Sequence, residues 1–431
     1  MCLCFFCASV STNNNWDSSF SWCIVDKEEG YKMELRWRRN LFILWIGAFF
    51  CAMAYTLSIP FIPIFLQEDL GIHSGLEAWS GITFSVSFLA SAVIAPFWGS
   101  LADKYGRKPM LLRSGLSLSA VYFLNYFVND PYTFIVVRVL QGLMAGYIPA
   151  SMALVSTNTP EKHVGYALSV MSTATAAGSI LGPLFGGMLS HWVGTRECFL
   201  ASGFVVLISA VIAVVGVKEV HHKKAGARPS VLQDIKQATA NKQLLSIFGL
   251  TILVATSVMI LEPLLTIYVV EIGGSAKGAS LSSGIIFSAA GVATVIMGSR
   301  WGIIGQRIGY DKTLLIGLIG GGIGNLLQLA AHNLIAFGVL RFSYGLFFAA
   351  VYPALSALIV KASDADFRGR AMSLNQTSNQ LGMMIGPLIG GFLGGLVGIH
   401  SVFLLTGCAL LSAAAVLQLN IRKQMKQISA D

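Results

Sequence analysis

The chain has 431 residues, 55% of them hydrophobic and only 11% charged, with a mean hydropathy of +0.70. A water-soluble domain carries roughly 25% charged residues, so this composition cannot furnish a wetted surface and describes a polytopic membrane protein. The net charge of +9 would suit a nucleic-acid partner only if gathered on one face with interleaved aromatics, and instead it is dealt out loop by loop.

Residues 1–32 differ in character from the rest of the chain. The run Ser11 to Trp22 is polar, and no basic region precedes Leu3 to Val10, so a secretory signal peptide is not expected. The stretch reads either as a disordered extension or as sequence upstream of a natural start at Met33. Cys4 and Cys7 form a C-x-x-C, but with no second pair or histidine at ligand spacing no metal site is expected.

Twelve apolar runs come next, at about 41–66, 79–101, 110–128, 131–155, 164–190, 195–217, 244–270, 279–301, 313–331, 333–359, 370–394 and 398–420. Each is near the ~20 residues that carry a helix across a bilayer. None alternates as a barrel strand would, so the predicted fold is all-α with twelve transmembrane helices. Lys and Arg concentrate in alternate loops, including Arg36, Arg38, Arg39, Lys104, Arg107, Lys108, Lys162, the Lys218–Lys242 stretch, Arg307, Arg370 and Arg422. The other side holds only Arg196 and Lys277 among several acids. The expected topology therefore places both termini in the cytoplasm.

The chain repeats itself. Trp98, Gly99, Lys104 and Gly106 return 203 residues later as Trp301, Gly302, Arg307 and Gly309, and Arg138 with Gly142 returns as Arg341 with Gly345. Gly178, Gly182-Pro183 and Gly186-Gly187 return as Gly382, Gly386-Pro387 and Gly390-Gly391. The expected organisation is an extension (1–32), a six-helix bundle (33–217), a basic cytoplasmic loop (218–243) and a second six-helix bundle (244–431). Parallel repeats of this kind relate two bundles by a pseudo-two-fold axis along the membrane normal, with a substrate site between them near mid-bilayer.

The loop Gly99-Ser-Leu-Ala-Asp103-Lys-Tyr-Gly106-Arg107-Lys108, Arg138 with Gln141-Gly142, and Gly178-x-x-x-Gly182-Pro183-x-x-Gly186-Gly187 resemble the signature motifs of the major facilitator superfamily. With Ile59-Pro60-Phe61-Ile62-Pro63 and Ala95-Pro96-Phe97-Trp98-Gly99, the similarity runs from Arg36 to Lys423 and points to the drug:proton antiporter branch of twelve-span multidrug exporters. The resemblance implies that Asp103, with Gly99, Gly106 and Arg107, locks the cytoplasmic side when the cavity faces out. It also implies that Arg138 assists proton transfer and that the span-five glycine-proline motif belongs to an antiporter. Gln306 and Tyr310 replace the acid and the arginine in the second copy of the loop, so an asymmetric gate is expected.

Glu262 is the only acid well within a span. A charge there costs at least ~2.5–3.5 kcal/mol, so the carboxyl needs a partner, water or a proton. Either it exchanges a proton against a cationic cargo, or it is a structural glutamate bonded to a neighbouring helix. Pro263 beside it interrupts the helix and frees backbone to line a cavity. Arg138 is expected to couple and its mate Arg341 to brace a helix. Lys104, Arg107 and Lys108 are expected at the level of anionic headgroups.

For cargo, Tyr55, Met144, Tyr147, Met171, Met259 and Tyr352 offer adaptable apolar and π faces, although each could equally be core. Asn375 and Asn379, at i and i+4, share one face and are either cavity ligands or interhelical glue. No P-loop, H-E-x-x-H or G-x-S-x-G occurs, so neither ATP-driven transport nor an intramembrane enzyme is expected. The expectation is a monomeric, cofactor-free exporter of small amphipathic or cationic compounds, surrounded by lipid and driven by the proton gradient. A transporter of one defined metabolite, or a transporter-fold sensor, is the alternative.

Overall fold

A computed structural model describes residues 16–217, 231–273, 278–364 and 367–428, with side chains except at 16–36, Asp103, Glu161, 231–233 and 420–428. Eleven helices among the described residues are long and apolar enough to cross a membrane: Trp37–Asp69, Leu76–Ala102, Pro131–Asn158, Val164–Val193, Thr195–Gly216, Lys242–Gly273, Ala279–Ile308, Tyr310–Ala330, Leu334–Ala362, Arg368–Val397 and Ile399–Leu419. The twelfth, span three, is the 20-residue helix Arg107–Tyr126. Its lower hydropathy has a physical source, because Ser114, Ser119 and Asn125 are turned inward and buried against its neighbours. Of the predicted extension, residues 1–15 lie outside the described residues, and 16–32 form the leading part of the helix Trp16–Leu57.

The largest apolar core draws its buried residues from 37–217, and the remaining clusters draw theirs from residues beyond 237. Two like bundles result. Trp98 donates its indole N–H to the Leu143 carbonyl at 2.8 Å, and Trp301 donates to Leu346 at 2.7 Å, again 203 residues on. A short helix, Val231–Ala240, joins the bundles and is tied to the second by an Arg370–Asp234 ion pair at 2.7 Å.

Four spans are interrupted. Span one breaks at Ser58 before the short helix Ile59–Phe61, and span four at Ala145-Gly146, where Gly146 takes φ +131°. Span seven breaks between Leu261 and Leu265, and span ten between Phe348 and Val351. Such backbone survives at membrane depth only where protein or a cavity supplies hydrogen-bond partners. Ile59-Pro60 and Glu262-Pro263 stand at the same 203-residue offset, so two of these breaks are repeat mates and only the second carries an acid.

Candidate functional site

The bundles meet at one end only. Away from the termini, Gly81 of span two lies on the Pro387 carbonyl of span eleven, and Gly391 on the Glu77 carbonyl. Symmetrically, Gly284 of span eight lies on the Pro183 carbonyl of span five, and Gly187 on the Ser280 carbonyl. Ser288 Oγ donates to the Ile180 carbonyl at 2.6 Å and Thr266 Oγ1 to the Pro60 carbonyl at 3.0 Å, both across the seam. Toward the basic side the same four spans stand apart, since Gly99, Gly302, Gly165 and Gly369 have nothing within 4 Å of a notional Cβ. The space between the bundles is therefore closed at the face opposite the termini and open toward them.

The glycine-proline motif divides between two jobs. Gly178, Gly182 and Gly186 face span one within the first bundle, against Phe49, Met53 and Leu57 backbone, whereas Gly187 and the Pro183 carbonyl face span eight of the second. Only the latter pair lies between the bundles.

Glu262 lies at the break of span seven, half-buried, directly after the helix Lys242–Leu261. Among the described residues no hydrogen bond or ion pair engages its carboxyl. It stands within electrostatic reach of Arg341 and of Tyr55, Tyr344 and Tyr352. Tyr55 is also within electrostatic reach of Arg138, so one tyrosine of span one is near enough to feel both the arginine of span four and the acid of span seven. Tyr352 is 40% exposed, and its ring meets Phe348 edge-on at 5.9 Å.

Arg138 is 5% exposed and is held from several sides. Its Nη1 donates to Gln141 Oε1 at 2.8 Å, Gln141 Nε2 donates to Tyr122 Oη at 3.3 Å, and Tyr122 donates to the Ala54 carbonyl at 3.3 Å. The guanidinium also lies 4.9 Å from the Phe134 ring centroid, while its Nε and Nη2 find no partner among the described residues. Arg341, expected to brace its helix, is also the cation within electrostatic reach of Glu262. Sequence reasoning pairs Gln141 with Arg138 but misses Tyr122 and Tyr344 as members of the Arg138 and Glu262 networks. The signal for Tyr344 is its place one turn after Arg341 on the same helix face.

Two of the expected cargo residues are fully buried and the others partly so. Tyr147 is 1% exposed, with its hydroxyl donating to the Ser209 carbonyl at 3.3 Å, and Met171 is 0% exposed in the first core. Met144 is half-buried against that core. Met259 is half-buried with its Cβ turned to Gly386 of span eleven. Asn375 accepts from Thr251 Oγ1 at 2.8 Å, which is interhelical glue between spans seven and eleven. Asn379 donates to Met383 Sδ at 3.4 Å and leaves its Oδ1 buried without a partner.

The loop after span two is tied to neighbouring helix ends. Gly106, at φ +100°, ends one helix and begins the next. Arg107 donates to the Ala153 carbonyl and Lys108 Nζ to the Val214 and Val217 carbonyls, at 2.9 and 2.6 Å. These side chains bond carbonyls near the ends of spans four and six, where helix dipoles favour cations. The side chain of Asp103 lies outside the described residues; its backbone occupies the last turn of the helix Leu76–Tyr105.

Two pseudo-repeated six-helix bundles, joined at one face over a space lined by broken spans, define the secondary-transporter class of membrane protein. The profile of the Major Facilitator Superfamily matches residues 44–308 and again 247–430. Multidrug resistance protein MdtG of Escherichia fergusonii is 36% identical over 384 residues, covering 88% of this chain and 93% of that one. MdtG of Escherichia coli O1:K1 / APEC is 34% identical over 399 residues, covering 92% and 98%. A bacterial homologue of the human lysosomal transporter Spinster, in an inward-facing and occupied conformation, shares the fold at a TM-score of 0.75 and 13% identity, covering 89% and 96%. The chain belongs to the Major Facilitator Superfamily. It is a transporter related to the multidrug resistance protein MdtG, not an enzyme.

Proposed function

We propose that the protein is a proton-coupled exporter of small amphipathic or cationic compounds that works by alternating access in the plasma membrane. On this reading residues 33–217 and 244–431 are the moving units, the basic side is cytoplasmic, and the structure is the inward-open state. The observation that carries the proposal is Glu262, a membrane-embedded carboxyl at a helix break with no hydrogen bond or ion pair among the described residues. A structural glutamate would be bonded; this one is left to exchange a proton for a cargo cation, with Tyr55 and Tyr352 offering π faces beside it. Arg341 biases the acid, and Arg138 acts through Tyr55. A proton falling through 100 mV yields ~2.3 kcal/mol, enough to bias export several tens of fold.

The register of the seams supports alternating access. Gly99 and Gly369 each lie eighteen residues from the Gly81–Pro387 contact, and Gly302 and Gly165 each lie eighteen from the Gly284–Pro183 contact. Eighteen residues are five whole turns, about 27 Å, so each open glycine shares a face and a depth with its opposite number. Rocking the bundles closes a second pair of glycine seams without sliding any helix, which suits a gating role for Gly99, Asp103, Gly106 and Arg107.

The test is dye export from proteoliposomes under an imposed pH gradient. Glu262→Gln should abolish gradient-driven export while leaving dye binding measurable; gradient-driven export retained by the variant removes Glu262 from the mechanism. The unpartnered N–H groups of Arg138 and Arg341 favour one second reading, a defined metabolite bearing a carboxylate. Competition by small carboxylates for dye export would reveal it.

A further inference from the structure

Outside the central space, a cleft of about 630 Å³ opens near the basic end of spans one and five. Its walls are Trp37, Leu41, Phe42, Trp45, Tyr166 and Val170, with Arg38 and His163 at the polar end. Phe42 and Tyr166 are each 64% exposed, as aromatic side chains at a membrane boundary commonly are. Trp37 is 4% exposed and its indole N–H finds no acceptor among the described residues. The His163 ring stacks on Trp37 with centroids 5.4 Å apart and 14° between planes, and the Arg38 guanidinium lies 5.5 Å from the Trp37 ring centroid. Arg39 and Lys162, both exposed, stand at the same level, and among the residues whose side chains are described no acid lines the cleft.

The cleft combines a cationic, donor-rich rim with an aromatic trough. From Trp37 to Trp45 the helix rises about 12 Å, the length of a glycerol backbone and the first part of an acyl chain. Its position in the fold names the source of such a molecule. Tyr166, Thr173, Ile180 and Gly187 recur at seven-residue steps along span five, so they lie near one face. At its far end that face touches span eight through Ile180 and Gly187, whereas at the basic end Gly165 has nothing within 4 Å. The cleft thus sits where the bundles have parted and inner-leaflet lipid can reach between them.

We propose that this cleft is a site for an anionic phospholipid of the inner leaflet. The phosphate lies on Arg38 and His163, and one acyl chain runs along Phe42, Trp45 and Val170. Basic pockets between spans on the cytoplasmic side take anionic headgroups by this combination of charge and apolar wall. Span eight closing on span five would expel the lipid, so the site belongs to the inward-open state.

Native mass spectrometry of the detergent-purified full chain, titrated with dioleoylphosphatidylglycerol, dioleoylphosphatidylcholine or inorganic phosphate, tests the proposal. The glycerol lipid should be retained in preference to the choline lipid of equal chain length, and millimolar phosphate should not displace it. Arg38→Gln should weaken retention about fivefold, the effect of one cation near the surface. Val170→Trp, which fills the trough without changing charge, should weaken it at least as much. Arg39→Gln, outside the cleft lining, should leave it unchanged. Equal retention of the two lipids, unchanged retention in Arg38→Gln or Val170→Trp, or an equal loss in Arg39→Gln would overturn the assignment.

Discussion

Adding one methyl group to Gly391 should move the whole transporter. A Cβ at this position would stand 2.5 Å from the Glu77 carbonyl oxygen and 2.9 Å from the Gly81 Cα, closer than real Cβ atoms come. Both neighbours are backbone, so no side chain can swing aside, and the strain is relieved only by parting spans two and eleven. Overpacking of this kind costs ~1–3 kcal/mol. On the proposed reading the seam is made only in the inward-open state, so the cost falls on that state alone and shifts the balance toward the outward-open state by roughly 5–150-fold. Gly186→Ala is the control, because it presses on Leu57 backbone inside the first bundle and should destabilise both states alike. Spin labels at the outer ends of spans two and eleven report the separation directly. A Gly391→Ala distance distribution identical to wild type, in protein that folds normally, would refute the assignment of this contact as the outer gate.

Other consequences can be checked alongside. Gly302→Ala meets nothing within 4 Å here, so it should leave this state unstrained and, through the five-turn register, disfavour the opposite one; the same spin-label pair should then show less opening than wild type. Thr251→Val removes the donor to Asn375, costing about 1 kcal/mol of stability, and should lower Tm without altering which dyes are exported. Asp130 caps span four by accepting from the Thr133 amide, and hydrogen bonding to Thr133 holds its carboxyl below the usual carboxylate range. A depressed value means its contribution is present above the ordinary pKa and fades as pH falls through the folded one. Asp130→Asn caps without titrating, so it should flatten that part of the acid dependence of Tm below about pH 4.

The spans and the pseudo-repeat were legible because long apolar runs and equal spacing are properties of the chain itself. Glu262 was legible for the same reason, since one carboxylate in an apolar run has a cost that needs no coordinates to state. What the glycines touch was not. Gly186 and Gly187 are neighbours in sequence yet face different bundles, and a 100° step around a helix decides between folding and gating. Tyr147 and Met171 illustrate a second limit, because an aromatic or methionine in a span reads alike whether it meets lipid, core or cargo. Arg107 and Lys108 illustrate a third. Their long stems let the charge travel far from its own backbone, and here it goes to carbonyls at the ends of spans four and six.

The break at Ile59-Pro60 repeats the one at Glu262-Pro263, but its isoleucine cannot titrate. With one acid shared between two otherwise matched halves, on the proposed reading, a turnover exchanges a single positive charge inward for whatever the cargo carries outward. A neutral cargo then leaves a net current, and membrane voltage adds its ~2.3 kcal/mol per 100 mV to the driving force. A monovalent cation cancels that current, and its export answers to acidity alone. The valence of the drug, not its shape, would therefore decide whether a collapsed voltage stops the pump.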